Sequence, residues 1–325
     1  MARSLSTEDL LLLVDALADG QWHSGETLAA QMGLTRAGLA KRVERLSEWG
    51  LRPEAKQGLG YRLPVPIRRL DAHALQQATP AMALHVEAVV DSTNQQLLQS
   101  SSKQDPQALL CEFQSQGRGR RGRQWISPFG ANLYLSMAWT YSDWPAQLPA
   151  LSLAVGVVCA RTLSNLGLSS VQLKWPNDLL VAGRKLGGIL IEQRGEMGGA
   201  CRMVIGIGLN VSMQADQGEQ IDQEWICLDE AFSSLEKPPV SRQALAEALL
   251  PALHNMLAQF PHVGFAPWRT HWPQYDALAG RTVRLSGSDA LEGTAQGLDE
   301  DGALLVKTVT GTQAVRSGEV SVRAQ

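Results

Sequence analysis

Apolar and polar positions alternate with several different periods along this chain, and each period predicts a different element. Leu10, Leu13, Val14 and Leu17 recur at helical spacing behind a Ser6-x-x-Asp9 capping box, which predicts a first helix ending near Gly20. Ser24 caps a second short helix carrying Leu28 and Met32, and Gly33 stops it. Thr35 opens a third, whose Leu39, Val43 and Leu46 share one face while Arg36, Lys41, Arg42 and Arg45 fall largely off it. After Leu51-Arg52, the stretch Gly58-Leu59-Gly60-Tyr61-Arg62-Leu63 reads as a hairpin with a glycine tip. Pro64-Val65-Pro66 then breaks the pattern as a stiff linker.

From Arg68 the periods mix. A helix is expected over 71–78 and strands over 83–90, 109–113, 132–139, 171–174, 178–181, 186–192 and 202–211, with Ala182-Gly183-Arg184 as a tight hairpin. Long apolar helical runs fill 148–166 and 242–260. Strands joined so often by hairpins predict an α+β arrangement, a largely antiparallel or mixed sheet with helices on one side. Past Trp272-Pro273, short strands over 282–285, 290–295, 303–308 and 312–315 alternate with Ser286-Gly287-Ser288 and Asp301-Gly302, the pattern of a small β-barrel. Three domains are expected: 1–64, 65–271 and 272–325.

Composition adds little until charge is mapped. The chain is 44% hydrophobic and 19% charged with a net charge of −3, so nucleic-acid binding would need local segregation of charge. That segregation exists. Residues 1–32 carry one Lys or Arg against five Asp or Glu, net −4; residues 33–63 carry seven against three, net +4. Two short helices with a basic second helix, followed by a basic hairpin, form the pattern of a winged helix-turn-helix. Thr35, Arg36, Lys41, Arg42, Arg45, Lys56 and Arg62 are the candidate DNA contacts. The competing reading is a helical interaction domain with a solvated basic face. Cys111, Cys159, Cys201 and Cys227 are too scattered for zinc and read as reduced, buried residues of a cytoplasmic protein. Met1-Ala2-Arg3-Ser4 leads into acidic Glu8 and Asp9, unlike a signal peptide, and the apolar run over 150–160 is too short to span a bilayer.

Chemistry concentrates in five segments. Gly117-Arg118-Gly119-Arg120-Arg121-Gly122-Arg123 cannot be a core strand or helix interior; it supplies guanidinium forks and backbone N–H groups suited to an anion, or else a solvated basic loop. Asp91-Ser92-Thr93-Asn94 ends a strand and caps a helix. Lys174-Trp175-Pro176-Asn177-Asp178, Arg184-Lys185-Leu186-Gly187-Gly188-Ile189-Leu190 and Gly206-Ile207-Gly208-Leu209-Asn210 follow. No P-loop is present, and the last segment lacks the third glycine of a dinucleotide fingerprint. No Ser–His or Cys–His setting offers a nucleophile. The residues point to positioning of anions.

In this order the motifs resemble the biotin protein ligases, and with the amino-terminal head the chain resembles the bifunctional members that also repress the biotin operon. The resemblance runs from about Leu10 to Arg323. It implies that the biotin carboxylate joins the α-phosphate of ATP, giving biotinyl-5′-AMP and pyrophosphate, and that the biotinyl group then passes to a lysine of the biotin carboxyl carrier protein of acetyl-CoA carboxylase. It further implies Mg²⁺, operator DNA as a second partner, a ligand-promoted homodimer and an SH3-like carboxy-terminal domain. Residue by residue, it implies that Lys185 neutralises charge at the reaction centre and that Ser92, Thr93, Asn94 and Gln114 bind biotin. Arg118, Gly119 and Arg120 match the loop that covers the ligand, and Trp225 matches the tryptophan that stacks on adenine. Asp178 is a candidate to hold Mg²⁺ or position the attacking amine, against a plain Asx-turn; Gly206 and Asn210 flank a strand end that a ligand can approach closely. No residue is assigned as a metal ligand. A lipoate-type ligase and a ligand-sensing regulator without ligase activity are the competing functions.

Overall fold

In the computed structural model, residues 6–100, 105–195, 199–286, 291–316 and 321–324 are described. The expected segments Met1-Ala2-Arg3-Ser4 and Gly287-Ser288, and Ala290, lie outside them.

Three helices open the chain: α1 (Thr7–Leu17), α2 (Gly25–Gln31) and α3 (Arg36–Arg45). Ser6, Ser24 and Thr35 cap them as the sequence requires, each accepting a backbone N–H from the first turn. Strands β1 (Glu54–Lys56) and β2 (Gly60–Arg62) pair antiparallel around Gly58, whose φ of +80° is the left-handed conformation that a tight tip needs. Leu10, Leu13, Leu17, Leu28, Leu39 and Leu46 build a core beneath them.

Arg42 departs from its expected exposed position. It is buried at 7% and its Nη2 lies 3.4 Å from Asp9 Oδ2, with Nη1 donating to Gly38 O at 3.3 Å. Position 42 lies three residues after Leu39 and four before Leu46, so it falls on the apolar face and pairs inward with α1. Arg36, Lys41 and Lys56 are exposed.

The central region contains α4 (Ala72–Ala78), β3 (Ala83–Val90), α5 (Thr93–Gln99), β4 (Gln107–Gln114), β5 (Leu133–Tyr141), α6 (Leu151–Asn165), β6 (Val171–Lys174), β7 (Asp178–Val181), β8 (Arg184–Arg194), β9 (Cys201–Leu209), α7 (Leu228–Ser233), α8 (Arg242–Val263), α9 (Ala266–Arg269) and α10 (Trp272–Tyr275). Its seven strands form one sheet in the order β3-β4-β5-β9-β8-β7-β6, with β3 parallel to β4 and every other pair antiparallel. Helix α8 runs one turn beyond Phe260, through Pro261, to Gly264.

Side-chain alternation divides the two faces of the sheet. Ala108, Leu110, Met137 and Ile205 join the main core beneath α6 and α8, whereas Leu109, Ala138 and Val204 pack against Leu97 of α5. The helices are therefore not confined to one side: α5 covers part of the opposite face and leaves the rest open. A buried ion pair, Arg242 to Glu112 at 2.7 Å, pins the entering chain, because Glu112 also accepts from Leu70 N and Arg242 donates to Arg68 O.

The amino-terminal core continues into the central region. Phe129 belongs to it, stacked on Trp49 with ring centroids 5.2 Å apart, and its N–H donates to Trp49 O. The Pro64-Val65-Pro66 stretch is one connection among several, with Gln217 donating to Gly50 O and Arg52 pairing with Asp216.

The carboxy-terminal strands β10 (Thr282–Ser286), β11 (Leu291–Leu298), β12 (Leu304–Thr308), β13 (Gly311–Val315) and β14 (Ser321–Ala324) form an antiparallel sheet ordered β13-β12-β11-β10-β14. Strand β14 had no counterpart in the sequence pattern. Trp175, buried at 1%, ties this sheet to the centre by donating its indole N–H to Gly302 O at 3.0 Å.

Candidate active site

The open face of the large sheet holds a cavity of about 880 Å³. Glycines pave it. Pairing places Ser136, Gly206 and Leu190 in one row across β5, β9 and β8, and Tyr134, Gly208, Gly188 and Asp178 in the next row, which extends to β7. A Cβ at Gly206 would collide with the Asn94 amide, and one at Gly208 with the Trp125 indole. The glycines let polar and aromatic groups lie flat on the strands.

Helix α5 brings its amino terminus over the first row. Ser92 caps it, and Ser92, Thr93 and Asn94 are each buried to 4% exposure or less. Thr93 donates from N and Oγ1 to Gln114 Oε1 at 2.9 and 3.1 Å, and Gln114 Nε2 donates to Ser127 Oγ at 3.0 Å. Ser136 Oγ lies 2.7 Å from Thr93 Oγ1 and 2.6 Å from Asn94 Oδ1. Asn94 Nδ2 donates to Leu190 O and to Glu192 Oε2.

Lys185 reaches the second row through a fault in the pairing. Leu179 pairs with Gly187 but Leu180 pairs with Lys185, so β8 carries one extra residue there. In an uninterrupted strand Lys185 and Gly188 would face opposite sides. The bulge lets both line the cavity while Leu186 stays fully buried in the core. Lys185 Nζ lies 2.9 Å from Asp178 Oδ1 and 5.7 Å from the centre of the Trp125 ring. Its backbone bonds on both sides to the Glu224–Ile226 segment, which brings Trp225 alongside. Asn210 braces the same point, donating to the carbonyls of Lys185 and Ile226.

The Gly-Arg loop folds over this floor. Arg118 Nη2 donates to Glu192 Oε2 at 2.9 Å, and Arg120 Nη1 to Asn177 Oδ1 at 3.0 Å. Loss of solvation, with the nearby charge of Arg121, lowers the Arg120 pKa from its ordinary value, and Asp178 opposes that shift. The structure thus gathers Ser92, Thr93, Asn94, Gln114, Arg118, Gly119, Arg120, Asp178, Lys185, Gly206, Asn210 and Trp225 around one cavity.

Sequence reasoning missed Ser136, Ser127 and Glu192, which tie the cavity-lining residues together, and Arg281, which enters from the carboxy-terminal side. Ser136 was legible in principle as the one serine in the strand over 133–141. The acidic residues lining the cavity are Asp178 and Asp222, and no cluster of three or more metal-ligating side chains occurs among the described residues. Such a set suits a Mg²⁺ ion carried in on nucleotide phosphates, to which Asp178 would add a carboxylate.

The comparisons agree with this geometry. Residues 86–210 match the biotin/lipoate A/B protein ligase family and 279–323 the biotin protein ligase C terminal domain. The chain belongs to the biotin protein ligase family. It is 40% identical over 316 residues to the bifunctional ligase/repressor BirA of Salmonella typhimurium, and equally to that of Escherichia coli, covering 97% of each chain. Among solved structures, the Aquifex aeolicus biotin protein ligase in complex with biotin and ATP matches at a TM-score of 0.64 with 27% identity, covering 75% of this chain and 99% of that one.

Proposed function

We propose that this protein is an ATP-dependent biotin protein ligase and also a repressor of biotin-operon transcription. The observation that carries the first half is the convergence of Arg118, Arg120 and Lys185 with a buried Ser-Thr-Asn-Gln ladder in one cavity. The ladder offers a compact polar ring several donors and acceptors in fixed positions. In the first step a biotin carboxylate oxygen attacks the ATP α-phosphorus and the bond to the pyrophosphate oxygen breaks. Two anions approach each other there, and Lys185 places a fixed cation between them. A Mg²⁺ ion carried in with the nucleotide would neutralise further phosphate charge, and Asp178 is the residue that would add a carboxylate to it. In the second step a carrier lysine amine attacks the acyl carbon and AMP leaves with the carboxyl oxygen. Asp178, held by Lys185, is placed to orient that amine. Trp225 presents a flat face for adenine.

The amino-terminal helices and hairpin act as a winged helix-turn-helix. Lys41 and Lys56 are exposed and have no carboxylate partner among the described residues, while Arg36, Arg45 and Arg62 sit in exposed pairs with Glu26, Glu48 and Glu54. Exposed pairs are worth about 0–1 kcal/mol, so phosphates can displace the carboxylates. Binding of biotinyl-5′-AMP favours a homodimer that presents two heads to a palindromic operator. The carboxy-terminal sheet is an SH3-like barrel, and four buried free cysteines suit a cytoplasmic setting. The domains run 1–64, 65–271 and 272–325.

Incubation with ATP, a carrier domain and either biotin or lipoate tests the ligase. The expected result is a carrier heavier by one biotinyl group, with pyrophosphate released. A carrier modified by lipoate and not by biotin would overturn the substrate; no modification with ligand-dependent DNA binding retained would leave a regulator. Sedimentation with and without biotinyl-5′-AMP tests the dimer, and a liganded protein that stays monomeric while filling the operator would refute it.

A further inference from the structure

Glu192, on β8, does not line the cavity, yet it touches two residues that do. Its Oε2 accepts from Asn94 Nδ2 and from Arg118 Nη2, both at 2.9 Å. Beside a site that collects anions, a carboxylate works against ligand charge unless it does something else. We propose that Glu192 is a positioning residue: one oxygen fixes the Asn94 amide and holds the start of the ligand loop against the sheet. This rests on the roles proposed for Asn94 and Arg118 in holding the ligand.

The Asn94 amide has two possible orientations, and its neighbours choose one. Nδ2 faces two acceptors, Leu190 O and Glu192 Oε2, while Oδ1 faces the Ser136 hydroxyl. A flipped amide would turn its oxygen onto a carbonyl and a carboxylate. The same carboxylate holds Nη2 of the Arg118 guanidinium, which fixes that cation at the rim of the cavity with its other N–H groups left for an anionic ligand.

The far end of the loop is tied to the same ladder. Ser136 Oγ–H donates to Asn94 Oδ1 and shares the Thr93 hydroxyl proton, Thr93 N–H donates to Gln114 Oε1, and Gln114 Nε2 donates to Ser127, whose Oγ donates to Trp125 O. A chain of polar groups leaves the loop at Arg118 and returns to it at Trp125. The groups assigned to biotin are thus the groups that anchor both ends of its cover.

Glu192→Gln keeps the size of the side chain and an acceptor for Asn94, but removes the charge that holds Arg118. KM for biotin should rise about tenfold and bound biotinyl-5′-AMP should dissociate about tenfold faster, the scale of a lost charge-assisted hydrogen bond. The turnover number for adenylate formation should fall by less than about twofold, because Glu192 does not touch the reacting atoms. Arg118→Gln should also speed release, and the double variant should be no leakier than the worse single one, since both remove one pair. Release rates that multiply in the double variant would overturn the coupling. A leaky Arg118→Gln beside a tight Glu192→Gln would overturn the role of Glu192 alone. If Arg118→Gln retains the adenylate as the parent does, the reading of the loop fails together with this inference.

Discussion

The head and the cavity both gather arginine and lysine, but they hold these cations differently. In the head, Arg36, Arg45 and Arg62 lie in solvent-exposed pairs, each with one glutamate, and Arg62 also lies over the Trp22 ring. In the cavity, Arg120 and Lys185 are half-buried and held by Asn177 and Asp178, while Arg118 stays exposed at the rim, paired with Glu192 of the sheet. The contrast follows from what each surface is proposed to bind. A polyanion offers repeated charges to flexible side chains, and weak internal pairs exchange for phosphate at little cost. A single reacting carboxylate and phosphate need cations that do not reorganise.

Trp49→Ala tests how far the two regions are separate, and carries the largest expected effect. Its indole is 5% exposed and stacked on Phe129, so truncation should cost about 3–5 kcal/mol. The fall should appear as a lower urea midpoint and as protease cleavage between residues 50 and 66. An unchanged midpoint would show that the shared core contributes nothing.

Lys185→Ala should slow single-turnover adenylate formation by about 10²–10³-fold while biotin binding changes little, since the missing cation acts where charge accumulates. Rapid-quench measurement at the parental rate would remove Lys185 from the reaction centre.

Lys41→Ala and Arg45→Ala should act on the other region only. Each should weaken operator binding and flatten its salt dependence by about one unit for each phosphate no longer neutralised, with adenylate formation unaltered. A matching loss of ligase activity would erase the contrast between head and cavity.

The smallest effect concerns Asp9 beneath the head. The Ser6 backbone N–H, with Arg42, holds its carboxyl below the ordinary value of 3.8. A carboxyl with a lowered folded-state pKa stabilises above its unfolded value, and the contribution is lost as pH falls through the folded one. Asp9→Asn should therefore lower the melting temperature at neutral pH, and the gap should close in acid below 3.8. A gap constant with pH would assign the effect to packing instead.

Local signals were the legible ones. Ser6, Ser24, Thr35 and Ser92 each cap the helix that sequence places after them, and Ala182-Gly183 turns between β7 and β8 with positive φ at both residues. The cavity was legible through motifs whose purpose emerges only across strands: Gly206 makes room for an asparagine more than a hundred residues earlier in the chain. Arg42 was misplaced because its charge outweighed its helical position. Glu192 and Ser136 escaped notice because their importance depends on strand register, which no local pattern encodes.

The extra residue in β8 has a consequence for how this protein tolerates change. Most substitutions on the buried side of that strand would be felt as poorer packing, graded by size. A register slip of one residue at that point is a different kind of lesion. It would pair Leu186 with Leu180 and Lys185 with Val181, heal the ladder into a regular one, and turn Lys185 to the core side of the sheet. Here, a slip of a single residue is more dangerous to chemistry than to folding.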